Sequence, residues 1–379
     1  MSENPLLSIV SHFENLDDPR SDHGRRHKLV DILAISIVGV ICGANNWPEV
    51  QLFGEAKSTW LATFLELPHG IPTHYTFRRV FARLDPDQLR RSFVSWVAAI
   101  HDMQADQICV DGKEVRRSHD GWLGKEAIQM VSAWAQKHHL VLGQVKVKEG
   151  SNEIEAIPRL LKMLDLAGCV VTIDAIGCQK SFTKLITERD GDYALAVKQN
   201  QGRLYKDIKA LFDEIDHPDM AFIEHDHYKR TEKGHGRIET RECWILTDEL
   251  CLNYLRDRDA WHGVQSVVMV KSKRTINGTA SEEQIRYYIS SLPGDAKRLL
   301  SVVRGHWGIE NSLHWVLDIA FREDESRLRK GNGAENMAIL RQLVVNLLKQ
   351  ETTFNGSIKA KRLRAGWVHE YLLKILSLG

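Results

Sequence analysis

The sequence predicts an α/β protein: a mixed sheet with flanking helices, preceded by a helical N-terminal domain and interrupted by a strand-rich insertion before the last helix of its core. Two observations carry this. Hydrophobic periodicity is helical from Pro5 to about Ala105 and changes near Gln107 to short apolar runs of strand type. The first three runs are joined by short turns and the later ones alternate with helices, the order expected of a mixed sheet covered on both faces.

In the N-terminal region the pattern predicts helices over 29–42 and 47–65, another after Thr73, and one over 86–101. Asp85-Pro86 is a helix entry, with Phe93, Trp96 and Val97 at helical spacing behind it. Phe77, Val80 and Phe81 can pack inward while Arg78, Arg79 and Arg83 face out. Both a solvated basic face and contact with a DNA backbone fit those arginines.

Strands are expected over 108–110, 127–135, 140–148, 170–173 and 193–197, giving a five-stranded sheet. Ile154, Ile157, Leu160, Leu161 and Leu164 make 153–166 an amphipathic helix, and 179–189 forms another. This is an RNase H-like order of elements. A helix over 204–215 opens the insertion, followed by strands over 222–227, 238–246, 264–271 and 286–290. A long helix starts at Asp295, and the end of the chain is helical and basic through Lys359, Lys361, Arg362 and Arg364. The domain layout is therefore 1–105 helical, 106–199 with 292–350 as the α/β core, 200–291 as the insertion, and 351–379 as a basic helical segment.

A 379-residue chain that is 43% hydrophobic has room for two or three packed units. Lysines and arginines number 51 against 50 aspartates and glutamates, so net charge gives no reason to expect a polyanionic partner. Nucleic-acid binding would have to come from local patches. Six scattered cysteines (Cys42, Cys109, Cys169, Cys178, Cys243, Cys251) without a CxxC pair suit a reducing cytoplasm. The apolar run 32–44 follows Arg25, Arg26 and Lys28, but it is too short to span a bilayer and reads as a buried helix. The histidines His217, His225, His227 and His235 lack the tight ligand spacing of a zinc site.

Chemistry is concentrated in three acidic positions. Asp111 ends the first apolar run and Asp174 ends the fourth, and groups at the carboxyl ends of neighbouring strands converge on one crevice. Paired carboxylates repel, and a hard divalent cation, Mg²⁺ or Mn²⁺, relieves that repulsion. Singly, either aspartate could equally be a turn or cap residue. His306, Glu310, His314 and Asp318 recur every fourth residue and form one polar stripe on a helix, either a solvated face or a third ligand set. Lys113, Lys198, Arg237 and Arg241 are candidates for phosphate contact, and Asn152 for an N-cap. Asn200 and Gln201 can simply turn the chain.

At these positions the sequence resembles the DDE-type bacterial insertion-sequence transposases, specifically the H-repeat-associated group, over nearly its whole length. Asp18-Pro-Arg, His27-Lys-Leu, Gly43-Ala and Phe53-Gly resemble the helical domain that precedes the catalytic core there. Ile108-Cys-Val-Asp-Gly-Lys113 is similar to the first catalytic motif, Ile173-Asp-Ala-Ile-Gly-Cys-Gln-Lys180 to the second, and His306-Trp-Gly-Ile-Glu310 to the third. Ala196-Val-Lys-Gln-Asn-Gln201, Gly234-His-Gly-Arg-Ile-Glu-Thr-Arg241 and Arg286-Tyr-Tyr-Ile-Ser-Ser291 resemble later landmarks. The broader class places a tyrosine and an arginine before the glutamate and a lysine after it. Here those positions read Val303, His306 and Leu317, with Arg304 and His314 as partial substitutes.

The resemblance implies a metal-dependent DNA-cutting and -joining enzyme with Asp111, Asp174 and Glu310 as catalytic metal ligands. It implies two Mg²⁺ or Mn²⁺ ions per active site. Water attacks the element's end, and the freed 3′-hydroxyl then attacks target DNA. The partners implied are double-stranded DNA with terminal inverted repeats, target DNA, and a second copy of the chain, because joining requires both ends together. Trp122 offers apolar surface for such pairing. Two rivals stand beside this reading: a DNA-binding derivative that has lost catalysis, and an RNase H-like nuclease that cuts without joining.

Overall fold

The computed structural model describes residues 6–21, 23, 25–100, 107–119, 124–215, 222–234, 236–276 and 279–378. Trp122, His217 and His235, and the expected boundary near Ala105, lie outside them. The strands are β1 (Gln107–Val115), β2 (Ile128–Ala135), β3 (Leu140–Lys146), β4 (Val170–Ile173) and β5 (Asp192–Val197). They continue with β6 (His225–Gly234), β7 (Arg237–Leu246), β8 (Ser266–Ile276), β9 (Thr279–Ala280) and β10 (Gln284–Ser290). They form one mixed ten-stranded sheet in the order β3-β2-β1-β4-β5-β10-β8-β7-β6, with β9 paired to β8. By contacts the chain divides into two compact units, residues 1–103, 112–151 and 310–379 in one, and 104–111 and 152–309 in the other.

In the second unit β1, β4 and β5 run parallel, and β10 pairs antiparallel with β5, Tyr287 opposite Val197 and Ser290 opposite Ala194. The sheet therefore does not end at a fifth strand. A bare β5 would present a row of unpaired backbone groups, and the strands of the expected insertion cover it. β6 takes the edge instead, and its exposed His225–Gly234 run carries Lys229, Arg230 and Lys233, charges that discourage further pairing. β6 starts later and runs longer than the expected 222–227, because all ten of its residues pair with β7. The helix Ala296–Gly305 packs on the sheet through Leu299, Leu300, Val302 and Val303. Gly305 lets it approach β1: an added Cβ would lie 2.2 Å from Gln107 Oε1.

In the first unit the helix Gly333–Gln350 forms the centre, with sixteen of its residues buried. It is too polar to read as core from composition, and each buried polar side chain has a specific partner. Asn346 bonds both backbone groups of Val141 on β3, at 2.7 and 2.9 Å. Gln342 donates to Ser132 on β2, and Asn336 to the carbonyls of Phe81 and Leu84. The helices Leu29–Ile41, His74–Arg83 and Pro86–Ile100 pack against it. From Asp31 to Ile41 this first helix is buried on all sides, as its mostly apolar sequence requires, with Asp31 accepting from Leu67 N and Ser36 donating to the Ile32 carbonyl. The expected helix over 47–65 is two, Trp47–Ala56 and Ser58–Leu61. In the C-terminal segment, Lys361 and Arg362 are buried rather than solvated. Lys361 Nζ donates to the Leu348 carbonyl, and Arg362 to those of Val40 and Ala44. Among the described residues no helix is long and apolar enough to cross a membrane.

Candidate active site

Asp111 and Asp174 take their places from the parallel pairing of β1 with β4. Val110 stands opposite Ile173 as the last paired couple, so each aspartate is the next residue on neighbouring strands about 4.8 Å apart. β1 itself runs on to Val115, so Asp111 lies inside a strand longer than the expected 108–110, and only Asp174 follows a strand end. Asp174 also caps the turn Ala175–Gly177, its Oδ1 accepting from Ile176 N at 3.1 Å. That turn is tight: a Cβ on Gly177 would fall 2.1 Å from Ile173 Cγ2, so only glycine fits. Two amides fasten it. Asn200 Nδ2 donates to the Ala175 carbonyl and Gln201 Nε2 to that of Cys178, both at 2.7 Å. These residues thus do more than turn the chain after β5. Position alone conceals the role, because the parallel β4–β5 register brings the two loops together.

Beside Asp174 opens a cleft of about 850 Å³ whose lining includes Lys198, Asn200, Tyr205, Arg286 and Tyr287. Lys198 is exposed, and Arg286 stacks its guanidinium over Trp307 at 5.2 Å. His306 bonds Thr172 Oγ1 on β4 at 3.2 Å, two residues before Asp174.

Glu310 does not sit on the one long helix expected from Asp295. That helix ends at Gly305, a turn follows, and Glu310–His314 forms a π-helical turn leading into the helix Trp315–Phe321. The helix end at Gly305 sets His306 apart from the rest of the expected stripe, while Glu310 and His314 stay in contact four residues apart across the π turn, a feature that recurs at functional sites. His314, expected on a polar surface, is buried, and its Nδ1 lies 2.9 Å from Glu310 Oε2. This hydrogen bond holds the Glu310 carboxyl below its ordinary value against the opposing effect of burial, with the charges of His314 and Lys113 adding to it.

Lys113 follows Asp111 by two residues and so shares its face of β1. Its ammonium is held by carboxylates, at 2.7 Å from Asp318, 3.1 Å from Asp324 and 3.3 Å from Glu323. Glu323 also pairs at 3.3 Å with the fully buried Arg341. The remaining basic candidates divide by their surroundings. Arg241 pairs with Glu232 at 3.2 Å and Glu239 at 2.7 Å, and Arg304 pairs with Glu232. Arg237, Arg78, Arg79 and Arg83 are exposed. His225 and His227 stack on Trp244 rather than converging on a common centre.

The fold and these groups define a class: an α/β protein with aspartates at adjacent register positions of two parallel strands and a glutamate hydrogen-bonded to a histidine on a π turn. Comparison with known proteins gives the family. The model described as "Transposase DDE domain" matches residues 100–347, and the one described as "DDE_Tnp_1-associated" matches residues 10–97. The chain is 36% identical over 380 residues to "H repeat-associated putative transposase YhhI" of Escherichia coli (strain K12), covering 98% of each chain. It is 42% identical over 287 residues to "Uncharacterized protein in dhlA 3'region" of Xanthobacter autotrophicus, covering 75% of this chain and 94% of that one. A solved structure of piggyBac transposase in a synaptic complex with hairpin DNA aligns with 98% of this chain and 82% of its own, at 11% identity and a TM-score of 0.45. The chain belongs to the DDE-type transposases of the H-repeat-associated group.

Proposed function

We propose that the protein cuts phosphodiester bonds at the ends of its element and joins the freed ends to target DNA, with Asp111, Asp174 and Glu310 as its catalytic carboxylates. The observation that supports this reading is the register of β1 and β4, in which Val110 pairs with Ile173 and Asp111 and Asp174 follow as neighbours. Retention of all three acids favours a working enzyme over a derivative that only binds DNA. In this reading β1 to β5 are the RNase H-like core, residues 1–105 the DNA-associated domain, 200–291 an elaboration of the sheet, and 351–379 a helical closing segment.

The donor set fits hard divalent cations. Carboxylate oxygens are ligands of the kind Mg²⁺ and Mn²⁺ take, and the imidazole of His314, hydrogen-bonded to Glu310, is of a kind accepted more readily by Mn²⁺. When bound, two such ions supply positive charge against the attacking and leaving oxygens of the scissile phosphate. Asp111 and Asp174 would hold them from the sheet. His314 keeps the Glu310 carboxylate oriented and ionised, which a ligand must be. Lys198 and Arg286 would meet the DNA backbone in the cleft beside Asp174, and the exposed Arg237 would meet it beyond. Lys113, Arg241, Arg304 and His306 act first on the protein, through the contacts described above.

The reading also assigns a homodimer on two DNA ends, since one active site serves one end. The test of catalysis uses a duplex carrying the sequences that flank the coding region. Asp111→Asn, Asp174→Asn and Glu310→Gln should each reduce Mg²⁺-dependent cleavage to background while duplex affinity stays within about twofold, because phosphate contacts dominate affinity. Wild-type cleavage by the Asp111→Asn enzyme would refute the assignment.

A further inference from the structure

A second basic cleft, lined by none of these carboxylates, lies in the first unit. Its volume is about 430 Å³, and its charged lining consists of Arg78, Arg322, Arg327, Glu49 and Glu325, with His74 beside them. Arg78 comes from the helix His74–Arg83, while Arg322 and Arg327 come from the loop that follows the helix Trp315–Phe321. We propose that this cleft binds the phosphate backbone of duplex DNA through Arg78 and Arg327, with Arg322 shaping its wall. The proposal rests on the reading that DNA is the partner, and adds where the protein grips it away from the carboxylates.

The acids in the cleft are already engaged. Glu49 accepts from Asn45 N and from Asn46 Nδ2, both at 2.7 Å, closing the start of the helix Trp47–Ala56. Glu325 is paired with Arg322. Among the described residues neither Arg78 nor Arg327 forms an ion pair, and both are exposed. Arg78 rests its guanidinium over the Tyr75 ring at 5.2 Å, a contact that limits the side chain's freedom while leaving its donors available. The His74 ring is held by Gln51 Oε1 at 3.0 Å. What faces solvent is thus a pair of uncommitted guanidiniums, whose planar forks match phosphate oxygens. A chain with a net charge of only +1 has no diffuse field to hold DNA, so such local pairs must do it.

The geometry separates three arginines that the sequence treats alike. Arg78, Arg79 and Arg83 share one exposed helical stretch, yet only Arg78 lines the cleft.

The experiment measures affinity of the full-length protein for a random-sequence 30-base-pair duplex in EDTA, across a salt series. Each lost phosphate contact makes the plot of log K against log salt shallower by about 0.9. Arg78→Ala with Arg327→Ala should flatten it by about 1.8 and weaken binding by roughly twentyfold, taking about fivefold per exposed charge contact. Arg79→Ala with Arg83→Ala should leave the slope at the wild-type value, and Arg78→Lys with Arg327→Lys should keep it too, since each lysine still displaces a counterion. Equal effects of the two alanine pairs, or no effect of the first, overturn the proposal. So does arginine-dependent binding of inorganic phosphate without any change in duplex affinity. Failure of the wild type to bind the duplex at all would instead overturn the DNA reading itself.

Discussion

Replacing Lys113 by methionine removes the cation that three carboxylates share. The Lys113 side chain is 11% exposed and its partner Glu323 only 2%, so this is an interior charge whose loss strands acids away from water. Breaking a buried pair by deleting one partner costs about 3–5 kcal/mol. Two features place Lys113→Met at the lower end, about 3 kcal/mol. Asp318 and Asp324 keep 31% and 25% exposure and are partly screened, and Glu323 retains Arg341 at 3.3 Å. Urea unfolding of the full-length protein measures the loss, and adding Asp318→Asn makes a double-mutant cycle whose coupling should exceed about 1 kcal/mol. The rival role is the phosphate contact expected from sequence. That role predicts unchanged stability and a salt slope for DNA binding shallower by about 0.9. Stability within about 0.5 kcal/mol of wild type, together with that flattened slope, would refute the structural reading of Lys113.

Glu351 gives a pH test. Burial alone would raise its carboxyl, but donors from Thr353 and Tyr371 and the charge of Lys361 overcome that and bring it to about 2. A carboxyl depressed in the folded state contributes stability above its unfolded value of 4.5, and that contribution is lost as pH falls from there toward 2. Glu351→Gln should therefore flatten the acid limb of the stability profile in that window by up to about 3 kcal/mol, and an acid limb identical to wild type would remove Glu351 from the account. For assembly, sizing with a duplex carrying the element's own end should give two chains on two ends. A stable complex of one chain and one end that completes strand transfer would disprove the dimer.

What was legible in the sequence follows from which interactions are local. The apolar runs ending at Val110 and Ile173 mark Asp111 and Asp174 without their register, though β1 carries on past its apolar run to Val115, which the polar residues after Val110 conceal. The helix Leu29–Ile41 is equally plain, since a stretch apolar on every face but for Asp31 and Ser36 has nowhere to go but the interior. Extension of the sheet beyond β5 was hidden, because nothing in Gln284–Ser290 names the strand it will pair with. The π turn at Glu310–His314 was hidden for another reason. Sequence periodicity presumes a fixed turn, and one wider turn shifts every later side chain around the axis. Glu310 and His314 nonetheless stay in contact four residues apart, and what periodicity does not show is that His314 is buried and that Asp318 holds Lys113 of another element. Lys113 itself illustrates the general limit: a lysine two residues beyond a catalytic-type aspartate reads as a group for the substrate's phosphate. Only the return of the chain after Trp315–Phe321, with Glu323 and Asp324 on the following turn, shows that protein carboxylates reached it first. A cation already bridging three fixed acids would have to forfeit those contacts to meet a mobile phosphate. The exposed arginines Arg78 and Arg327 face no such competition, which is the ground for proposing backbone contact at them.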